Sequence, residues 1–344
     1  VQRKKVSKWV LILTGAVGTL LVTAFGVAAA GNDYRFAQRA VQIPVDEGHL
    51  EGVLTTPQDR SALGLVVMVH GDGAVDATQG GLYSPWFEGA AAAGYATLSW
   101  SKPGVGGSTG NWLDQTMDDR AAEVSAAIDW SLTQPGVPTE RVVLWGASQA
   151  GWVVPKIVAA REDIDGVVAV GTAINWLSQG RYNLLADLEH EDATDAERAL
   201  AIARSDALRE LLARNASYEE YLDEHLAASP GETPMTPDRW AFAARNFTVD
   251  ATADLQDAAL REIPVLLLAG EHDRNVDMRE TETVYRSIFG THLTVEHVDA
   301  VHSMARPLVD GNGVVGYLTA VFWPRAVFAP GVIDAYTAFL DQAA

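Results

Sequence analysis

The sequence predicts an α/β protein: a mostly parallel sheet with helices on both faces, a helical lid inserted after the sixth strand, and an apolar helix at the amino terminus. Three observations carry this. Short, wholly apolar runs such as Leu63 to Val69 have the character of strands covered on both faces. Helix-like stretches alternate with them, the signature of βαβ units. The alternation stops between Ile174 and Glu262 and then resumes.

The elements follow in order. Arg3, Lys4, Lys5 and Lys8 precede the uncharged run Trp9 to Ala30, whose 22 residues are long enough to span a bilayer as a helix. An uncleaved signal anchor is the first reading, a signal peptide cleaved near Ala28-Ala29-Ala30 the second, and a buried core helix the third. Basic residues before the span leave the amino terminus cytoplasmic and the folded body outside. After the span, "RAVQIPV" and "HLEGVLTTP" alternate apolar and polar positions around a turn, as half-buried antiparallel strands do. Strands "LGLVVMV", "YATLSW", "RVVLWG" and "DGVVAVG" then alternate with helices. The insertion 174–262 holds 18 acidic residues against 8 arginines and contains amphipathic helical segments. "IPVLLLAG", a helix, "HLTVEHV" and a closing amphipathic helix complete the chain. The core is thus 31–173 with 263–344, and the lid 174–262. The apolar stretch "VVGYLTAVFWPRAVFAPG" is expected to pack on the core, with contact to lipid near the anchor as the alternative.

Charge and composition exclude some functions. The chain of 344 residues carries −20, and because residues 1–8 contribute four positive charges the remainder stands at −24, which repels nucleic acid. There is no cysteine, hence no thiolate nucleophile and no Cys-ligated metal. "SKPGVGGSTGN" fits neither the dinucleotide nor the P-loop pattern and reads as a flexible wall of the cleft. No cofactor and no metal is expected.

In a parallel sheet, reactive groups belong on loops at the carboxyl ends of strands. Ser148, in "LWGASQAGW", stands between a strand and a helix, flanked by Gly146 and Ala150 where backbones must pass closely. A serine hydroxyl needs an imidazole to take its proton and a carboxylate to orient that imidazole. His302 follows the last strand and is the expected base. Asp273, beyond the turn at Gly270, is the expected acid, with Glu271 and Asp277 in reserve. The backbone N–H of Gln149 and one from "VHGDGAVD", assigned to Asp72, are expected to hold the oxyanion, with the Asp72 carboxylate turned away or paired with Lys102.

With "HGDG", "KPGVGGSTG", "GASQAG", "GEHDRNV" and "AVHSM" in this order, the chain resembles the α/β-hydrolase superfamily, near its esterase-like and prolyl-oligopeptidase-like members. The departures are Ala150 for glycine and Asp72 in the oxyanion loop. The resemblance implies an α/β-hydrolase fold and transfer of an acyl group to water through a Ser148-His302-Asp273 triad without cofactor. A small-molecule acyl ester is the expected substrate, with Trp176, Tyr182, Trp240, Phe242 and Phe247 as candidate walls of an acyl pocket. A peptidase or thioesterase, and a non-catalytic binding protein of the same fold, remain alternatives.

Overall fold

A computed structural model describes residues 23–46, 48–229 and 231–343. Eight strands form one sheet in the order β1-β2-β4-β3-β5-β6-β7-β8. The strands are β1 (Phe36–Val45), β2 (Gly48–Pro57), β3 (Gly64–Val69), β4 (Tyr95–Trp100), β5 (Val142–Ala147), β6 (Gly166–Val170), β7 (Val265–Gly270) and β8 (Leu293–Val298). Where the sequence alternates, at β1 and β2, pairing is antiparallel. From β3 to β8 it is parallel, and β3, β4, β5, β6 and β7 are buried along nearly their whole length. Their continuous apolar runs follow from helices covering both faces, so neither side chain direction reaches water.

On one face lie α3 (Met117–Leu132), α4 (Val154–Ala160) and α10 (Met278–Phe289); on the other lie α2 (Ser84–Ala93) and α13 (Val332–Ala343). Thr116 starts α3 with a reciprocal capping box to Asp119, and Gly94 ends α2 in the left-handed conformation.

Of the run Trp9–Ala30, residues 9–22 lie outside the described residues. Residues 23–31 are helical (α1), and among the described residues no helix is long and apolar enough to cross a membrane.

The segment after β6 contains α5 (Trp176–His190), α6 (Asp195–Ala213), α7 (Tyr218–Ala228), α8 (Pro237–Asn246) and α9 (Thr252–Ala259). Its two ends are clasped: Trp176 N–H donates to Val249 O at 3.0 Å, Ala251 N–H to Ile174 O at 2.9 Å, and Asn175 Nδ2 to Asp250 at 3.0 Å. Leu211, Leu212, Tyr221, Trp240 and Ala243 give this excursion a small core of its own. Beyond the clasp, α9 buries Leu255 and Ala258 in the main core, so the last part of 174–262 covers the sheet rather than the cleft.

Near the carboxyl end the apolar stretch divides. Val327, Phe328 and Ala329 are buried as expected, but α12 (Gly313–Phe322), preceded by α11 (Pro307–Asp310), has no fully buried residue and turns Val314 and Tyr317 to the outside.

Candidate active site

Strand β5 delivers Ser148 at its carboxyl end, where a 3-10 turn (Ser148–Trp152) leads into α4. Ser148 has φ +54°, a left-handed conformation that a non-glycine residue adopts only when its surroundings enforce it. Its neighbours must be small. A Cβ on Gly146 would stand 2.7 Å from Val154 Cγ2 and 3.1 Å from Ala150 Cβ, and one on Gly151 would stand 2.5 Å from Ala173 O. Gly146 and Ala150 therefore face each other across the turn, and one methyl fits between them where two would collide. Ala150 is fully buried and supplies that methyl.

The acid and base reach the site from β7 and β8. His302 Nδ1 and Asp273 Oδ2 are 2.8 Å apart, and the Asp273 side chain is almost wholly shielded from solvent. The other oxygen, Oδ1, accepts the N–H groups of Asn275 at 2.8 Å and Val276 at 2.9 Å, which fixes the carboxylate against rotation. Gly171, at the end of β6 with φ +55°, makes room: a Cβ there would lie 3.2 Å from His302 Nδ1 and 3.3 Å from Asp273 Oδ2. The reserve acids have other surroundings. Asp277 caps α10 by accepting from Arg279 and Glu280, and Glu271 is exposed. Glu271 gathers with His272 and Asp299 at the surface, but all three are exposed and His272 already pairs with Asp299, so no metal is assigned there.

Ser148 and His302 line one cavity of about 330 Å³, together with Gly71 and Asp72 from the loop after β3. Among the described residues no hydrogen bond joins Ser148 to His302; such bonds are often long without substrate and shorten when it binds. The rest of the wall is largely apolar, from Tyr83, Trp86, Trp145, Val170, Val327 and Phe328. These residues come from the sheet and from the segments after β3 and β8. None of the five lid aromatics expected at an acyl pocket lines it. Trp176 stacks on Trp152 at 5.0 Å, Trp240 stacks on Tyr221 at 4.5 Å, Phe242 is buried against Trp112, and Phe247 packs in the lid core. The Tyr182 hydroxyl donates to Asp273 O at 2.8 Å. Trp240 and Phe247 serve the excursion's own core, while Trp176 and Phe242 pack it onto the main core.

Asp72 carries a partner that sequence reasoning missed. Arg239, on α8, donates to Asp72 Oδ1 at 2.9 Å and Oδ2 at 2.6 Å, and Gln149 Nε2 donates to Oδ1 at 3.1 Å. Burial pushes the Asp72 carboxyl up, but the Arg239 bonds and charge, with Lys102 nearby, outweigh it and hold it below its ordinary value. The expected partner, Lys102, instead donates to Gly71 O at 2.5 Å, and its ammonium lies 4.6 Å from the Trp112 ring centre. Burial, reinforced by Arg120, pushes Lys102 down to about 6. Arg120 is itself buried, donating to the Gln149 side chain at 2.6 Å and to His70 O at 2.7 Å. The two backbone segments expected to hold an oxyanion are thus braced from behind by two buried basic side chains, Lys102 and Arg120. His70 is buried, pushed down to about 3 chiefly by that burial, and donates from Nε2 to Trp100 O at 2.6 Å. No sequence pattern marks Arg239 or Arg120, because each meets its partner across a long separation. The loop "SKPGVGGSTGN" does not line the Ser148 cavity; Gly107 N–H donates to Glu51 and Thr109 N–H to His49 O, which ties it to β2, and Ser108 Oγ donates to Ser101 O within the loop.

A serine on a strained strand-to-helix turn, facing an Asp-His pair on an eight-stranded mostly parallel sheet, is the arrangement of an α/β-hydrolase, and the chain is a hydrolase of that superfamily. Residues 31–302 match the X-Pro dipeptidyl-peptidase (S15) family, and the chain belongs to it. No curated protein sequence matches it. Among solved structures it is similar to the esterase Pf2001 of Pyrococcus furiosus, with 14% identity, TM-score 0.53 and 90% of each chain covered. It is also similar to Est1E of Butyrivibrio proteoclasticus bound to ferulic acid, with 14% identity, TM-score 0.53 and coverage of 88% of this chain and 97% of that one. The hypothetical protein PA2218 of Pseudomonas aeruginosa aligns at 17% identity and TM-score 0.53, over 91% and 95% of the two chains. At such identities these likenesses establish the fold.

Proposed function

We propose that the chain hydrolyses acyl esters with a small or medium acyl group through Ser148, His302 and Asp273. Ser148 Oγ attacks the carbonyl carbon while His302 Nε2 takes its proton, and Asp273 holds the opposite ring nitrogen. The carbonyl oxygen, now negative, is received by the backbone N–H groups of Gln149 and Asp72. His302 returns the proton to the departing alcohol, leaving an acyl-serine, and the same histidine then activates water to release the acid.

The observation that carries this reading is the cavity shared by Ser148 and His302. Its chemistry favours an ester over a peptide amino terminus. A dipeptidyl-peptidase must hold a substrate ammonium, yet the one carboxylate among the described lining residues, Asp72, is already neutralised by Arg239. Membership of the X-Pro dipeptidyl-peptidase family keeps cleavage after an Xaa-Pro pair as the second reading. The basic cluster before the uncharged run Trp9–Ala30 supports a body held outside the cytoplasm at a membrane.

The test is a panel of nitrophenyl esters of increasing acyl length, a thioester and Xaa-Pro nitroanilides, run on wild type, Ser148→Ala and His302→Ala. Ester turnover lost in both variants is expected. Turnover of the nitroanilides alone would establish the peptidase instead, and activity surviving both substitutions would exclude the triad.

A further inference from the structure

Helix α12 is apolar on both its inner and its outer face. Val314, Tyr317, Leu318 and Val321 recur at the i, i+3, i+4, i+7 spacing of one helix face, and that apolar face is the exposed one: Val314 is 70% exposed and Tyr317 69%. Leu308 before the helix and Trp323 after it extend the patch, at 72% and 47%. From Gly313 to Phe322 there is no charged residue. A contiguous face of this kind is uncommon on a surface left to water.

What covers it is indicated by where the chain's amino-terminal run enters the structure. Helix α1 ends directly on α12. Gly31 is buried against the backbone of Phe322, where a Cβ would collide with the carbonyl oxygen, and Asn32 Nδ2 donates to Val321 O at 3.0 Å. Arg325 locks the junction by donating to Gly31 O and Asp33 O, each at 2.7 Å, while its guanidinium pairs with Glu88 and lies over the Tyr34 ring. Phe25 and Val27 on α1 are exposed beside this junction. The 14 uncharged residues 9–22 lead into it. The described end of the apolar amino-terminal run, helix α1, thus meets the exposed apolar helix face at this junction.

We propose that the α11–α12 face, with Leu308, Val314, Tyr317, Leu318, Val321 and Trp323, lies in the surface of a lipid bilayer. Tyr317 and Trp323 are the residue types that prefer the interface, with an apolar ring body and a polar edge. A helix lying in the interface buries its apolar face among acyl chains and headgroups without crossing the membrane. The body is strongly acidic, so the attraction is apolar and a zwitterionic surface suits it better than an anionic one. On the inner side of the same helices, Val309 and Val315 pack with Leu82 and Val327, which also line the Ser148 cavity, so the docked surface and that cavity share a wall.

The chain has no cysteine, so single reporters are available without background. Val314→Cys, Tyr317→Cys and, as a control far along the chain on an exposed site, Leu260→Cys are each labelled with an environment-sensitive fluorophore. The full chain is reconstituted into phosphatidylcholine vesicles, with and without doxyl-labelled phosphatidylcholine, and circular dichroism checks each variant's fold. Emission from positions 314 and 317 should shift to shorter wavelength and be quenched by the doxyl groups, while position 260 does neither. Water-like emission at 314 and 317 in vesicles would overturn the proposal. A shift without quenching would also overturn it, assigning the face to protein, either a second copy or residues 9–22 of the same chain. Docking of this face is read independently of turnover, so it stands or falls apart from the ester reading.

Discussion

Replacing Gly146 by alanine places a methyl carbon 2.7 Å from Val154 Cγ2 and 3.1 Å from Ala150 Cβ. Neither distance is a relaxed carbon contact, so β5 and α4 must part or Val154 must leave its rotamer. Overpacking of this kind costs about 1–3 kcal/mol, and the stiffer unfolded chain returns roughly 0.4–1 kcal/mol, for a net loss of about 1–2 kcal/mol. The opposite change, Ala150→Gly, restores the commoner G-x-S-x-G spelling, yet it is also expected to destabilise. It removes a fully buried methyl, about 0.8 kcal/mol, and adds glycine's unfolded-state freedom, roughly 0.5–1 kcal/mol. If the two positions share one methyl's worth of space, the double variant should lose less than the two single losses combined, with a coupling of at least about 0.5 kcal/mol. Urea unfolding of wild type, both singles and the double, read as midpoint and slope, measures all four corners. Additive losses, or a stabilising Ala150→Gly, would refute the account of the turn.

Three further outcomes are expected. Arg239→Met leaves the Asp72 carboxylate unneutralised beside the oxyanion site, so kcat should fall about tenfold or more while stability changes by less than about 1 kcal/mol; adding Asp72→Asn should restore kcat, and failure to do so in steady-state kinetics would remove the role assigned to Arg239. Gly171→Ala introduces a Cβ against both His302 and Asp273 at a left-handed backbone position, so hydrolysis should drop at least about tenfold with a stability loss of about 1 kcal/mol or more; unchanged kcat would show that the pair tolerates displacement. His70, pushed down to about 3 when folded against an ordinary 6.5, gives the unfolded chain more bound protons as pH falls through that window, so its contribution is complete above about pH 6.5 and declines below it by up to about 1.4 kcal/mol per pH unit. Denaturation midpoints at several pH values should show a flatter acid limb for His70→Gln, and an unaltered limb would contradict a neutral buried His70.

How much was legible depends on the range of the interaction. β3 to β7 declare themselves because both faces are covered and the apolar run is unbroken; β1, β2 and β8 are legible by their alternation or their place in the βαβ rhythm. Ser148, Asp273 and His302 could be selected because a parallel sheet gathers its carboxyl-end loops at one edge, so order along the chain stands in for distance. The Arg239–Asp72 bond spans the excursion and the sheet, and no local pattern encodes it. The lid aromatics are ambiguous for a related reason: Trp240 and Phe242 suit a pocket wall and a core alike, and only packing shows that Trp240 meets Tyr221 and Phe242 meets Trp112. In the stretch after β8, hydropathy alone does not separate buried Val327 from exposed Val314, since the same residue type takes opposite environments and only tertiary packing decides which.

The central claim is that Ser148 is an activated nucleophile served by His302 and Asp273. A fluorophosphonate probe followed by peptide mass spectrometry tests it without knowledge of the substrate. The adduct should fall on Ser148 in the wild-type chain, form far more slowly in Asp273→Asn and His302→Ala, and be absent in Ser148→Ala. An adduct on another residue, or an unreactive Ser148 in folded wild-type protein, would contradict it.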